Sequence, residues 1–336
     1  MTSVYREWPL TEASRVVDCR WEQRVDGEGA GRVQRVLPDG CADVVIFDGV
    51  RAHVVGPTSE VALPHLAPGA VVVGLRVRTE AIRAVFGLPA IELRGQSVSV
   101  DEVLGSGLAR RVVEALLEPG PAGDRWLIRW LAGAGEAVDG RAAAAVGQLR
   151  ERRGSDVASV AEQVGLSCRQ LRRVVENETG LGPKTLQRIG RLQRFLRLAE
   201  SGGGGLDGGG GDVAGGGGLV GGGGLSRWAA GAGYADQAHL SRDVHDLAAT
   251  TPARLLAERR AYCENLVRFE RPTALPIGRL SGSPIGPHPF RGGACQDRAV
   301  EQRSLGHRGP EVPVIGMGTW QRLEAAAGSG GHTALV

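Results

Sequence analysis

The stretch SDVASVAEQVGLSCRQLRRVVENETGLGP at residues 155–183 leaves the chain few choices of local structure. A short apolar-periodic segment runs to Gly165, and a second helix is predicted just after this glycine turn. Ser167 stands where an N-cap belongs, and Gln170, three residues on, completes a capping box. From there Arg169, Arg172 and Arg173 fall at i, i+3 and i+4, so they share one helical face. Leu171, Val174 and Val175 repeat that spacing on the opposite face. One side of this helix suits burial, and the other presents guanidinium groups. A guanidinium pairs bidentately with guanine in a major groove, or grips phosphates. Arginine-rich helix faces are also often merely solvated, and the helix alone leaves the two readings evenly balanced.

Charge distribution favours a polyanionic partner. The 336 residues carry a net charge of only +3, but residues 141–200 hold 12 basic and 6 acidic residues, a local excess of +6. Such a patch speeds association with a polyanion. Lys184 is the sole lysine, so the choice of arginine at each basic site is not by itself a recognition signal. The length favours two domains. The five cysteines form no CxxC pair and are odd in number, which argues against a disulfide framework and for a reducing, cytoplasmic location. The histidines are scattered, so no structural zinc is expected. The N-terminus lacks a signal-peptide pattern, and no apolar run reaches about 18 residues, so no membrane span is expected.

The periodicities predict an α+β chain in three parts. A mixed, β-rich N-terminal domain occupies residues 1–135. Its strands are expected at RVQRVLP, ADVVIF, AHVVG and AVVVGLRV, with TEAIRAVFG a short helix after them. Helices follow from Ser106 to Arg153, broken at Pro119-Gly120-Pro121. An all-α part spans 141–261. Within it, Pro183 opens a longer helix whose Leu186, Ile189, Leu192 and Leu196 form a core stripe, with Arg188, Arg191, Arg194 and Arg197 pointing mostly elsewhere. Residues 201–224 contain 16 glycines in 24 positions and are expected to be flexible coil. No Lys-Ser/Thr follows them, so they are not a phosphate-binding loop. A second unit, LSRWAAGAGYADQAHLSRDVHDLAATTPARLLAERR, echoes the first, with Asp236 as N-cap and Leu240, Val244 and Leu247 inward. Residues 268–336 are rich in Pro, Gly and Arg and are expected to be mostly disordered.

Residues 141–261 resemble the AraC/XylS family of bacterial transcription regulators. The resemblance rests on VASVAEQVGLSCRQLRRVVENETGLGPKTLQRIGRLQRFLRL, then on AAGAGYADQAHLSRD and TTPARL. It implies tandem helix-turn-helix units joined by a long helix, each placing a recognition helix in a major groove. Base-contacting positions then fall on Arg169, Arg172 and Arg173 in the first unit and on Gln237, Ala238, Ser241 and Arg242 in the second. Ala238 offers only an apolar contact, for instance to a thymine methyl. Phosphate contacts are expected from the flanks of the recognition helices and from the arginines of the 184–199 helix. The sequence departs from the family pattern where Asp243-Val244 replaces an acidic-aromatic pair and Ala249 replaces a glycine. The glycine insert departs as well. It is expected to couple the units only through local concentration, so that deleting residues 207–224 tightens binding to a full site.

The N-terminal segment resembles a domain often attached to this class, through YREWPL, CRWEQRV, RVLPDGCADVVIF and HVVGPTS. Cys41, Asp39 and Asp43 invite a metal or nucleophile reading, but PDG is an ordinary turn and structural roles are favoured. RSLGHRGPEVPVIGMGTWQ at residues 303–321 resembles the opening of an aldo/keto reductase, without the downstream catalytic residues.

The leading expectation is a non-enzymatic, sequence-specific DNA-binding regulator with no cofactor. Its expected partners are double-stranded DNA, a small-molecule effector on the N-terminal domain, RNA polymerase and a second copy of the chain. The alternatives are a ligand- or partner-binding sensor with impaired DNA binding and, further off, an NADPH-dependent oxidoreductase fragment.

Overall fold

The computed structural model describes residues 3–27, 31–47, 49, 51–118, 120–151, 156–202, 222–263, 302–304 and 311–313. The chain divides into two compact units, residues 1–268 and 269–336. In the second, β9 (Gln302–Ser304) pairs antiparallel with β10 (Glu311–Pro313). The expected disorder of the tail and its reductase-like segment otherwise lie outside the described residues.

The first unit is α+β, as the sequence predicts. Its sheet is antiparallel, with β1 (Ser3–Trp8), β2 (Val17–Val25), β4 (Ala42–Phe47), β5 (Arg51–Val55), β7 (Val71–Val77) and β8 (Ser97–Ser99). They lie in the order β1-β2-β7-β4-β5-β8. The β-branched runs ADVVIF and VVVGLRV sit at its centre. Alternation along them sends Val44, Ile46, Val73, Leu75 and Val77 to one face and Val45, Val72 and Arg76 to the other. The first face is covered by α1 (Ile82–Phe86), α2 (Ala90–Leu93), α3 (Val100–Leu104), α4 (Ser106–Leu117) and α5 (Pro121–Ala137). Over the second lies a ribbon of β3 (Arg32–Val33) and β6 (His65–Leu66), which buries Leu66 beside Cys19 and Trp21.

RVQRVLP is not one strand. Only Arg32 and Val33 pair regularly, and Val36 makes a lone bridge to Ala62. Pro64 breaks the partner strand: its carbonyl accepts from the Gln34 amide, but it has no N–H to return. Past the Val36–Ala62 bridge the chain contacts the helices instead, through Leu37, Pro38 and Asp39.

Arg76 stands at the centre of the second face among acidic neighbours, with Asp43, Asp39 and Glu7 at 3.4, 3.5 and 3.7 Å. Asp43 also accepts from Trp21 Nε1 at 2.8 Å. Burial raises the Asp43 pKa, against the pull of Arg76. Burial likewise pushes the Cys41 thiol well up, and Cys19 to about 12. Both thiols are packed and protonated, the state of structural rather than reactive cysteines.

The helical part comprises α6 (Gly140–Glu151), α7 (Val157–Gln163), α8 (Cys168–Thr179), α9 (Pro183–Gly202), α10 (Gly222–Ala232), α11 (Gln237–Ala248) and α12 (Pro252–Cys263). One hydrophobic core runs through all of them. The stripe Leu186, Ile189, Leu192, Phe195 and Leu196 of α9 is its spine. Leu171 and Val175 of α8 pack there, as do Leu240, Val244 and Leu247 of α11. The second helical unit is therefore held on α9 by packing, which corrects the expectation that the glycine insert couples the units only through local concentration. The ends of the insert also differ from the predicted coil. α9 continues through Gly202, and α10 begins at Gly222. Helical glycine costs about 1 kcal/mol per residue, and here Leu225, Ala229 and Ala232 offset that cost by docking into the common core. Residues 203–221 lie outside the described residues.

The sheet region and the helices meet along a seam. Arg83 of α1 donates to Glu178 of α8 at 2.7 Å. Gly180, which ends α8 in the left-handed conformation, lets the chain pass so close that a Cβ would lie 2.7 Å from the Ala90 carbonyl oxygen. Farther along, Arg35 pairs with Glu258 of α12 at 2.8 Å. That hydrogen bond holds the Glu258 carboxylate below the ordinary glutamate range; partial burial opposes it and Arg254 assists it. A carboxylate depressed in the folded state adds stability that is complete above the unfolded value, about 4.3, and is lost as pH falls through the lower folded value. The stability gap between wild type and Glu258→Gln, read by urea unfolding, is therefore expected at pH 7 and should close below about pH 4. A gap that persists unchanged to pH 3 would contradict this.

Candidate nucleic-acid interface

The first recognition-like helix is built as its sequence requires. Ser167 Oγ accepts from the Gln170 amide at 3.2 Å, and Gln170 Oε1 accepts from the Ser167 amide at 2.9 Å, a complete capping box. The turn before it passes through Gly165 at φ +70°. Leu171 and Val175 are fully buried, while Val174 is only half-buried, at the edge of the apolar face. Arg169, Arg172 and Arg173 are all exposed on the opposite side. Arg172 Nε donates to Glu176 at 2.8 Å, yet its side chain remains 72% exposed. An exposed i,i+4 pair of this kind is worth roughly 0.3–0.5 kcal/mol, so it yields readily to a stronger anion.

α11 repeats the design with a different surface. Asp236 caps it, accepting from the His239 amide at 2.6 Å. Gln237, Ala238 and Arg242 are exposed and Ser241 is half-buried. Gln237 Oε1 accepts weakly from Ser226 of α10 at 3.3 Å. Exposed Arg227 on α10 extends this polar side. Sequence reasoning did not single it out, because it lies outside the matched string.

Three of the four arginines of α9 expected at phosphate, Arg188, Arg191 and Arg194, are engaged within the protein. Arg188 donates to Asp243 at 2.8 Å and to Asp246 at 2.6 Å. Arg191 donates to Asp243 at 3.1 Å and lies 5.5 Å from the centre of the Tyr234 ring. Arg194 donates to the Ala232 carbonyl at 3.1 Å. These three bind α9 to the second unit, so Asp243 serves as an internal anchor. Lys184 and Arg197 are the exposed cations of α9.

α11 ends on Ala249, at φ 48° and ψ 40°, the sole non-glycine residue with positive φ among those described. A side chain costs roughly 1–2 kcal/mol there. Part of this is recovered in Ala249→Gly, less the extra unfolded-state entropy of glycine. Ala249→Gly is expected to stabilise the protein by about 0.5–1 kcal/mol, seen as a higher urea midpoint. A lower midpoint would show that the strain lies elsewhere.

Among the described residues, no cluster of His, Cys, Asp and Glu is suited to a metal ion, and no helix is long and apolar enough to cross a membrane. At the seam an open crevice is lined by Arg83, Ala84, Gly87, Ala137, Asp139 and Glu178.

Residues 8–99 match a domain of unknown function, DUF6597. No curated protein matches the chain. Among solved structures, the chain is similar to ToxT from Vibrio cholerae in its P21 crystal form, at 10% identity over 76% of this chain and 97% of that one, with a TM-score of 0.31. ToxT from Vibrio cholerae O395 gives 10% identity, 76% and 96% coverage and a TM-score of 0.34. Wild-type ToxT from strain SCE256 with an unsaturated fatty acid bound gives 8%, 76%, 93% and 0.31. Similarity at that level assigns neither family nor activity. What the chain shares with known proteins is the DUF6597 match, which covers most of the sheet and leaves the helical units unassigned.

Proposed function

We propose that the chain is a sequence-specific DNA-binding transcription regulator of the AraC/XylS type. In this reading residues 141–261 are the DNA-binding domain, residues 1–135 the sensor and oligomerisation domain, and residues 268–336 a C-terminal tail. Arg169, Arg172 and Arg173 read bases in the first half-site, and Gln237, Ala238, Ser241 and Arg242 read the second. The carrying observation is the pairing of two capped helices, each with a polar outward face, on one shared core built around α9. A helix exposed on one side and anchored on the other is what a major groove accepts. The first helix offers three guanidinium groups, so it supplies most of the affinity; the second offers one, with two hydrogen-bonding side chains for discrimination.

Double-stranded DNA is the partner. A small molecule on the N-terminal domain, RNA polymerase and a second copy of the chain complete the proposed set, in the cytoplasm. The test is a gel-shift titration of the full chain with genomic fragments at graded salt. Affinity is expected to fall steeply between 50 and 200 mM salt, with a log–log slope of roughly −0.9 per phosphate neutralised, and a subset of fragments should compete far better than the rest. Binding that is absent, or indifferent to salt and sequence, overturns the reading in favour of a sensor without DNA recognition.

A further inference from the structure

Residues 35–40 run out from the end of the β3–β6 ribbon, where Val36 still pairs with Ala62, and contact both helical units. Arg35 Nη1 donates to the Ala248 carbonyl, at the C-terminal end of α11, while its Nε holds Glu258 of α12. That carbonyl is one of the four that a helix end leaves without an internal partner, and a cation there also suits the helix dipole. Leu37 packs against the shared helical core. The Pro38 carbonyl accepts from Gln193 of α9 at 3.1 Å. The Asp39 carbonyl accepts from Arg150 Nη2 of α6 at 3.0 Å, and Arg150 Nη1 donates to Thr79 Oγ1 at 2.7 Å. A short segment thus touches α6 in the first unit, α9 between the units, and α11 and α12 in the second.

Both ends of this chain of contacts lead further. On the sheet side, Asp39 Oδ1 accepts from the Cys41 amide at 2.8 Å, and Oδ2 lies 3.5 Å from Arg76 Nε, at the buried charged centre. On the helix side, the Arg150 carbonyl accepts from Arg194 Nη1, and Arg194 Nε reaches Ala232 at the end of α10. A Cβ on Gly190 would fall on the Arg150 backbone, so α6 and α9 are in close contact at that point. The sheet centre, the segment and both helical units therefore form one continuous packed and hydrogen-bonded path.

We propose that residues 35–40 act as a strut through which the N-terminal sheet fixes the relative orientation of α8 and α11. The segment is held at positions 35, 37, 38 and 39, and its contact on α11 lies beside Ala249, where the helix is strained. Docked, the strut pins the end of α11 against α12 and α9. Released, it leaves the second unit held by the α9 core and by Asp243. A change at the Arg76 centre moves Asp39, and Asp39 carries the carbonyl that Arg150 grips. The sheet thereby biases how two outward faces are spaced. That these faces read DNA rests on the function proposed above; the orientation itself does not.

The test measures the spacing without DNA. In the full chain, Cys263→Ser and Cys295→Ser leave Cys168 as the exposed thiol beside buried Cys19 and Cys41. Cys168 opens α8, and Arg242→Cys supplies a second label on α11. Spin-label distance measurement between them is expected to give one narrow distribution. Arg35→Met should broaden it at least twofold, and Arg35→Lys, which keeps a charge for Glu258 but loses the fork that also reaches Ala248, should broaden it less. Asp39→Asn keeps the backbone carbonyl and removes the charge facing Arg76; it should broaden or shift the distribution while the helical content holds. A distribution as narrow as wild type in folded Arg35→Met and Arg35→Lys overturns the strut. Broadening in those two but not in Asp39→Asn overturns the link to the Arg76 centre. Either result stands whether or not the protein binds DNA.

Discussion

Alanine at Arg169, Arg172 and Arg173 together is expected to cut DNA affinity by about a thousandfold while leaving the fold intact. Each arginine that pairs with a guanine edge is worth about 1–3 kcal/mol, and about 4 kcal/mol in all, allowing for non-additivity, gives three decades. The fold should tolerate the change because all three side chains are exposed and the single ion pair among them, Arg172 with Glu176, is a surface pair. Arg172→Ala alone should cost about 1–3 kcal/mol and relax preference at one base position. Binding titrations at fixed salt, with a selected site and single-base variants of it, separate the two effects. If an arginine touches only phosphate, its loss weakens all sequences equally and shallows the salt slope by about one. If affinity and base preference stay unchanged in the triple variant, α8 does not read DNA.

Asp243→Ala should be the most damaging single change in the second unit, at about 3–5 kcal/mol. Asp243 is 5% exposed and accepts from both Arg188 and Arg191. Arg188 keeps Asp246, but Arg191 loses its anionic partner inside the protein and retains the Tyr234 ring. The cost comes from the stranded charge more than from the lost attraction. Replacing both partners with apolar groups, Asp243→Leu with Arg191→Met, should therefore cost far less than Asp243→Ala alone. Urea unfolding of the two variants decides the matter. Equal losses would mean that Asp243 acts by packing, not by charge.

Much of the helical part was legible in the sequence because its signals are local. The Ser167–Gln170 box, the Asp236 cap and the α9 leucine stripe are each set within a few residues, and each appears in the structure as read. The central strands were legible for the same reason: ADVVIF and AVVVGLRV are β-branched and bounded by turns. What the sequence concealed was long-range. Nothing near Arg188, Arg191 or Arg194 reveals that Asp243 or the Ala232 carbonyl lies across from them, more than 35 residues away. A row of arginines on a helix looks the same whether it faces phosphate or another helix. RVQRVLP failed for a subtler reason, since Pro64, in a different segment, interrupts the ladder, which resumes only as the Val36–Ala62 bridge. Glycine content misled at the edges of 201–224, where docking onto a neighbour outweighs intrinsic preference.

The second unit sits on α9 through its own apolar and ionic contacts, which hold it there whatever the length of the connection between Gly202 and Gly222. By the general loop-closure relation, each doubling of a connection's length adds only about 0.6 kcal/mol. Mutations that duplicate glycine codons there would pass nearly unnoticed by selection, which gives a physical reason for a run of GGGG blocks at this junction. For the protein engineer, the same junction is a natural port for splicing in a reporter domain.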